Sequence, residues 1–227
     1  MENQHEDIMI KIKYKSWEEV PIKLYREISE ICQRDIEPLD KNMALISLLS
    51  DTPEDDVWNL RMDEAESLFQ DIQWLWKFDF KKNWHGKKIK INGKTYSVSV
   101  DLQDFSISQY VDFQELWPKL KTSDEVYAQL LATFIIPEGK KYNHDYNLQE
   151  IIKEIDSYLP ITQANSVLYF FLISLARSIR ATEICYTQLM KIMTRRAKTK
   201  EEKEKIKILE KETLKMINQA QLILGSL

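Results

Sequence analysis

Strict alternation of apolar and polar residues is confined to two stretches of this chain; elsewhere the apolar positions recur at helical spacing. In the longer stretch, Ile89 and Ile91 alternate with Lys88 and Lys90, and Tyr96, Val98 and Val100 alternate with Thr95, Ser97 and Ser99. A period of two places one face inward and one outward, as a half-buried strand requires. Asn92-Gly93 between the two runs tolerates the positive φ of a tight turn, so residues 88–101 are predicted to form a β-hairpin. In the shorter stretch Ile8, Ile10 and Ile12 alternate with Met9, Lys11 and Lys13. Two strands alone are marginal, so this segment is the expected third strand. Directly after the hairpin, Ser106 and Gln109 have capping-box spacing. The helix they open carries Ile107, Tyr110, Val111 and Leu116, with Phe113 between the last two. Trp117-Pro118 should end it, because a residue before proline is pushed away from α.

The rest reads as capped helices. Ser16 and Glu19 fit a capping box, Pro21 suits a first turn, and Ile22, Tyr25, Ile28 and either Ile31 or Cys32 form a stripe. Asp40 is the expected cap of a helix through Ala44, Leu45, Leu48 and Leu49. Asp51 or Thr52 should cap the next, with Pro53 first and Glu54, Asp55 and Asp56 facing the positive dipole end. These acids lack the glycine and distal glutamate of a calcium loop. Asp63 starts a helix with Ala65, Leu68, Phe69, Ile72 and Leu75 apolar. Thr122 with Glu125 caps one through Val126, Leu130, Leu131 and Phe134, stopping at Pro137-Glu138-Gly139. Asn147 opens one through Ile151, Ile152 and Ile155, ended by Leu159-Pro160.

From Thr162 onward, Leu168, Phe171, Leu172, Leu175, Ile179, Tyr186, Leu189 and Met193 trace one long apolar face. A last helix carries Ile206, Leu209, Thr213, Met216, Ala220 and Ile223 at heptad spacing, with Gly225 as its stop. It should fold back as an antiparallel hairpin or pair with another subunit, giving a homo-oligomer through the C-terminal helices. The predicted class is mainly α (α+β): a helical protein with a small antiparallel sheet in the N-terminal half and a long C-terminal helical hairpin. Residues 1–121 form the mixed region and 122–227 the all-helical one, as two domains or one continuous domain.

Composition narrows the function classes. The 227 residues hold 32 Lys+Arg and 36 Asp+Glu, a net charge of -4, so no overall field suits the gripping of phosphates. Four glycines and six prolines fit helices with short connections. Cys32 and Cys185 lie far apart in helical patterns and read as reduced thiols of an intracellular protein. The polar, acidic MENQHED start is not a signal peptide. The longest apolar run, 167–176, is about half the length a membrane span needs and reads as a buried core segment.

Candidate chemistry is sparse. His5, His85 and His144 are isolated, no glycine-rich phosphate loop or cysteine pair of metal spacing is present, and no carboxylate pair stands out. His144-Asp145 lacks a third partner and reads as a solvated loop. No catalytic, metal or cofactor residue is therefore assigned, and the chain reads as a non-enzyme. Arg195, Arg196, Lys198 and Lys200 could touch phosphate, but EEKEKIK follows and cancels their charge. The notable cluster is WLWKFDFKKNWH, with Trp74, Trp76, Phe78, Phe80 and Trp84 interleaved with lysines. These rings suit three uses: packing between helices and sheet, anchoring a protein partner, or stacking on bases. Protein contact is the functional assignment made for them.

Four segments, SWEEVPIKLYREISEI, ALISLLSDTPEDDVWNL, INGKTYSVSVDLQDFSISQYVDFQEL and LLATFIIPEGKKYNHDYNLQEIIKEI, occur here in that order. Over residues 10–171 this layout resembles small structural-region proteins of tailed bacteriophages, in particular the crAss-like phages of Bacteroidetes. The resemblance implies a virion protein of the tail or neck, structural or packaged as cargo, made in the host cytoplasm and touching other tail, neck or portal proteins. It equally implies a tail-assembly chaperone that leaves before the particle matures. A nucleic-acid-binding regulator, using Arg195, Arg196 and the aromatics of 74–84, is the reading from another class.

Overall fold

The computed structural model describes residues 10–78, 86–121, 123, 125–196, 199, 204, 207 and 211. The chain divides into two compact units, one of residues 1–98 and 106–167, the other of residues 99–105 and 168–227. Residues 122–167 fall in the first unit together with the N-terminal residues.

The first unit contains helices α1 (Ile22–Gln33), α2 (Pro38–Ser50), α3 (Glu54–Trp58), α4 (Met62–Asp71), α5 (Ile107–Leu116), α6 (Val126–Phe134) and α7 (Leu148–Tyr158). It also holds the first turns of α8 (Ile161–Arg196), up to Val167. Its centre is α6, sequence VYAQLLATF, packed against α5 and α7. Leu130, Leu131, Ala132 and Phe134 are fully buried there, as expected of a helix with almost no polar face.

The sheet has strands β1 (Lys88–Ile91), β2 (Lys94–Val98) and β3 (Ile135–Pro137), antiparallel in that order. Asn92 (φ 48°) and Gly93 (φ 75°) make the predicted turn. Ile89, Ile91, Tyr96 and Val98 point inward. The hairpin stops at Val98, short of the expected 101, and its third strand is not the N-terminal one. Residues 10–12 are not a strand; Lys13 N donates to Leu49 O at 3.0 Å, holding that stretch against the end of α2. Ile8 lies outside the described residues. The third strand forms because α6 ends at Phe134, three residues before the expected stop, and Ile135 turns extended (φ -107°, ψ 105°) beside β2. Glu138 N then donates to Thr95 O at 3.1 Å.

Several helix starts differ from the expected caps. Helix α1 begins at Ile22 behind Pro21, and the Glu19 carboxylate accepts from Lys15 N (2.8 Å) in the loop before it. Glu37 precedes Pro38 in α2, leaving Asp40 inside the first turn. Asp51 ends α2 in the left-handed region (φ 59°), and Pro53 is itself the residue before α3. Arg61 precedes α4, whose Glu64 accepts from Arg61 N at 3.0 Å. Ile72 and Leu75 are buried beyond α4, in and beside the 3-10 turn Gln73–Trp76. Glu125 precedes α6, and Thr122 lies outside the described residues. The two side-chain caps on α5 and α7 are present as predicted. Ser106 Oγ accepts from Gln109 N (3.2 Å) while Gln109 Oε1 accepts from Ser106 N (2.9 Å), and Asn147 Oδ1 accepts from Gln149 N (3.0 Å).

One clasp ties distant parts of the unit. Ile22 N donates to Leu159 O at 3.1 Å and Ile161 N to Val20 O at 2.8 Å, so Pro21 and Pro160 face each other in an isolated antiparallel bridge. Neither proline has an N–H to contribute, and their neighbours supply both bonds.

In the second unit, residues 168–196 continue α8, and Ser99–Phe105 contains a 3-10 turn at Leu102–Asp104. Phe105 stacks on the buried Phe171, with centroids 5.9 Å apart. The apolar run 167–176 is not wholly buried: Val167 and Phe171 are, Leu168, Leu172 and Leu175 are half-buried, and Ala176 is exposed. Leu189 of the expected stripe is exposed and Met193 is half-buried, and the side chains of Ile179 and Tyr186 lie outside the description. Backbone is helical at Glu204, Lys207 and Lys211. The heptad residues Ile206, Leu209, Thr213, Met216, Ala220 and Ile223, and Gly225, lie outside the described residues. Among the described residues no helix is long and apolar enough to cross a membrane.

Candidate protein-contact surfaces

Three of the five assigned aromatics fall within the described residues; Phe80 and Trp84 lie outside them. Trp74 and Trp76 sit on the Gln73–Trp76 turn, and Phe78 follows it. The turn drives Leu75 inward and sends its flanking tryptophans different ways. Trp74 is half-buried against Trp17, centroids 5.3 Å apart and nearly perpendicular. Trp17 also meets Phe78 edge-on at 5.2 Å and Tyr25 at 5.7 Å. Trp76 is 59% exposed and Phe78 is 41% exposed. The run therefore divides between packing and surface: Trp74 and Phe78 both pack on Trp17, Phe78 keeping part of its ring exposed, and Trp76 is the most exposed of the three. The indole N–H groups of Trp17 and Trp74 are enclosed without a hydrogen-bond partner among the described residues. Trp17 and Tyr25 complete this cluster yet drew no attention in the sequence. They lie far from residue 74 along the chain, and nothing in the local pattern of SWEEV links it to WLWKF.

A second apolar surface lies on α5. Of the apolar residues spaced along this helix, Phe113 is buried with the following Trp117, tilted against it at 5.5 Å, and Phe113 reaches Phe134 of α6 at 6.1 Å. Ile107 is 85% exposed, Tyr110 43% and Val111 53%. The cap explains the rotation. Gln109 is buried, with Oε1 on Ser106 N and Nε2 donating to Thr133 O at 2.9 Å, so the whole amide is satisfied only when that face turns inward. Tyr142 OH donates to Asp112 Oδ2 at 2.7 Å and fixes the same orientation. Burial raises the Tyr142 phenol, and Asp112 raises it further.

The remaining polar features join elements to one another. Arg26 of α1 and Asp156 of α7 are paired, and Arg26 lines three adjoining open hollows whose walls include Glu125, Gln149 and Lys153. Burial pushes the Asp156 carboxyl up, against the opposing pull of Arg26 and Lys23. Lys94 Nζ meets Glu154 Oε2 at 2.9 Å, while Glu154 Oε1 and Tyr96 OH are enclosed without a well-formed hydrogen bond. Burial and the nearby Glu154 charge both push the Tyr96 phenol up. His144 Nδ1 and Asp145 Oδ1 are 3.0 Å apart on an exposed loop, and that contact holds the Asp145 carboxyl low. Cys32 is a free, half-buried thiol raised by burial. Among the described residues no group of three or more His, Cys, Asp or Glu is placed to hold a metal. Side chains of Cys185, Arg195 and Arg196 lie outside the description.

No protein-family model matches the chain, and neither a curated protein nor a solved structure is similar to it.

Proposed function

We propose that this chain is a non-enzymatic virion protein of a tailed bacteriophage, placed in the tail or neck as a structural or cargo component and acting through protein–protein contacts. The observation that carries the contact part of this reading is the aromatic cluster. Trp76 on the turn, and Phe78 just after it, keep exposed ring surface beside the buried Trp17, on which both Trp74 and Phe78 pack. Rings held on a rigid base lose little entropy when a partner covers them, which is why aromatic anchors dominate protein interfaces. The exposed Ile107, Tyr110 and Val111 provide a second apolar area. The order of segments across residues 10–171 supports the phage part. Under this reading the protein is made in the host cytoplasm, ends in the particle, touches other tail, neck or portal proteins, and self-associates through its C-terminal helices.

Mass spectrometry of gradient-purified particles tests it. Many copies per particle are expected. Absence from particles, with recovery of a long tail protein by pull-down from infected cells, would replace this reading with that of an assembly chaperone. Binding to DNA that collapses between low and moderate salt would replace it with that of a nucleic-acid-binding regulator.

A further inference from the structure

The sheet has one edge that a further strand could join. Strand β3 spans only Ile135–Pro137, and Pro137 has no N–H to donate. Strand β1 spans Lys88–Ile91, and among the described residues it pairs only with β2. Its hydrogen-bond phase follows from the register. Ile91 faces Lys94 across the two-residue turn, Ile89 faces Tyr96, and Val98 N donates to Lys87 O at 2.8 Å. These pairs spend the backbone groups of Lys87, Ile89 and Ile91 on β2. The N–H and C=O groups of Lys88 and Lys90 therefore point away from the sheet.

The strand itself is basic: Lys87, Lys88 and Lys90 are exposed, although the chain as a whole has a net charge of -4. Lys88 is paired with Glu138, a carboxylate that a partner's acid would have to share or displace. Lysines on a free edge also discourage self-pairing, because a second β1 laid alongside would set lysine against lysine. A partner strand with acids at alternate positions meets no such penalty. Its acids would lie beside Lys88 and Lys90, and its apolar residues beside Ile89 and Ile91.

We infer that the β1 edge is a docking site for an extended segment of another protein that alternates acidic and apolar residues, added as a fourth strand. Main-chain bonds to Lys88 and Lys90 provide the attachment, and the lysine side chains select acids over bases. This gives one partner chemistry for the protein-contact reading above. It is testable on the isolated full chain, so its failure is distinct from absence of the protein from particles.

The probe is an end-capped eight-residue peptide alternating Glu and Val, with a Lys/Val peptide as comparison, and the readout is residue-resolved amide exchange. At saturation the Lys88 and Lys90 amides should exchange at least roughly tenfold more slowly, while Ile89 and Ile91 stay as they were. Lys90→Pro removes an outward N–H that the sheet does not use. It should keep the fold, checked by the unchanged exchange of Ile89 and Ile91, and lose the peptide. The double substitution Lys88→Glu with Lys90→Glu should reverse the preference toward the Lys/Val peptide. Equal protection by both peptides, no protection of Lys88 and Lys90, or undiminished binding to a folded Lys90→Pro protein would each overturn the inference.

Discussion

Arg26 Nη2 lies 2.7 Å from Asp156 Oδ2, joining α1 to α7 at a place where both side chains are mostly covered. The second oxygen of Asp156, Oδ1, is enclosed and has no hydrogen-bond partner among the described residues. The charged carboxylate is therefore held chiefly by the Arg26 guanidinium, with Lys23 adding to the pull. Burial still leaves its carboxyl above the usual aspartate value. A carboxyl raised in the folded state favours folding when protonated, below its ordinary range, and that contribution is lost as pH rises through the raised value. Replacing Arg26 by Met should therefore destabilise the protein at pH 7 by about 2–3 kcal/mol, because a covered charge loses its partner. The difference should shrink on acidification to the raised Asp156 value, above the ordinary aspartate range, where both folded proteins carry the neutral acid. Urea unfolding of both proteins at pH 7 and below pH 4 checks this, and a pH-independent difference would contradict it.

Gln109 should matter more than its cap partner. Ser106→Ala removes one side-chain acceptor from the α5 start and is expected to cost about 1 kcal/mol. Gln109→Ala breaks the return bond to Ser106 N and leaves the buried Thr133 carbonyl without the Gln109 amide. About 2–3 kcal/mol is expected there. Chemical denaturation of the two variants should rank them in that order; the reverse order would mean that the rotation of α5 has another cause.

The aromatic cluster predicts a sharp division between neighbouring rings. Trp17→Ala empties the centre of the cluster and should destabilise by about 3–5 kcal/mol. Trp76→Ser and Ile107→Ser act on exposed positions and should stay within about 0.5 kcal/mol of the parent. If the exposed residues serve partner contact, these two substitutions should lower recovery of partners in pull-downs while the melting temperature is unchanged. A large loss of stability from Trp76→Ser would remove it from the surface account.

Tyr96 offers a test of an imperfect contact. Its hydroxyl is buried near Glu154 but makes no well-formed bond, and Glu154 is engaged instead by Lys94. Tyr96→Phe should therefore leave stability within about 1 kcal/mol of the parent, or raise it, since an unsatisfied polar group is removed. Thermal unfolding distinguishes this from a loss above about 2 kcal/mol, the outcome expected if the hydroxyl were a fully bonded strut.

Local chemistry was the readable part of this sequence. Asn92-Gly93 needs positive φ at adjacent residues and has it, and the Ser106 and Asn147 caps bind amides two or three residues away. Each depends on atoms close along the chain. Strand β3 was missed because three residues after a helix cannot display an alternation, and Ile135–Pro137 becomes a strand only because β2 is beside it. The inward face of α5 was not legible because apolar spacing on that helix supports two rotations, and the choice rests with Gln109 and Thr133, on different helices. The residues 10–12 have the period of a strand, but their neighbour is the end of α2, which offers one carbonyl and no ladder. Of the candidate surface, Trp76 and Phe78 could be picked out by residue type alone. Trp17, which holds their base, could not, because its partner ring at residue 74 is distant in sequence.

The bonds that bring Pro21 opposite Pro160 also bear on the order of events during synthesis. Helix α1 leaves the ribosome before α7, and the carbonyl that receives Ile22 N and the amide that reaches Val20 belong to residues 159 and 161. The first unit therefore cannot close its own boundary until nearly all of it has been translated and α7 has cleared the exit tunnel. Until then α1 carries an apolar stripe with no α7 to cover it, so the nascent chain is most exposed to capture by chaperones and proteases before residue 161 emerges.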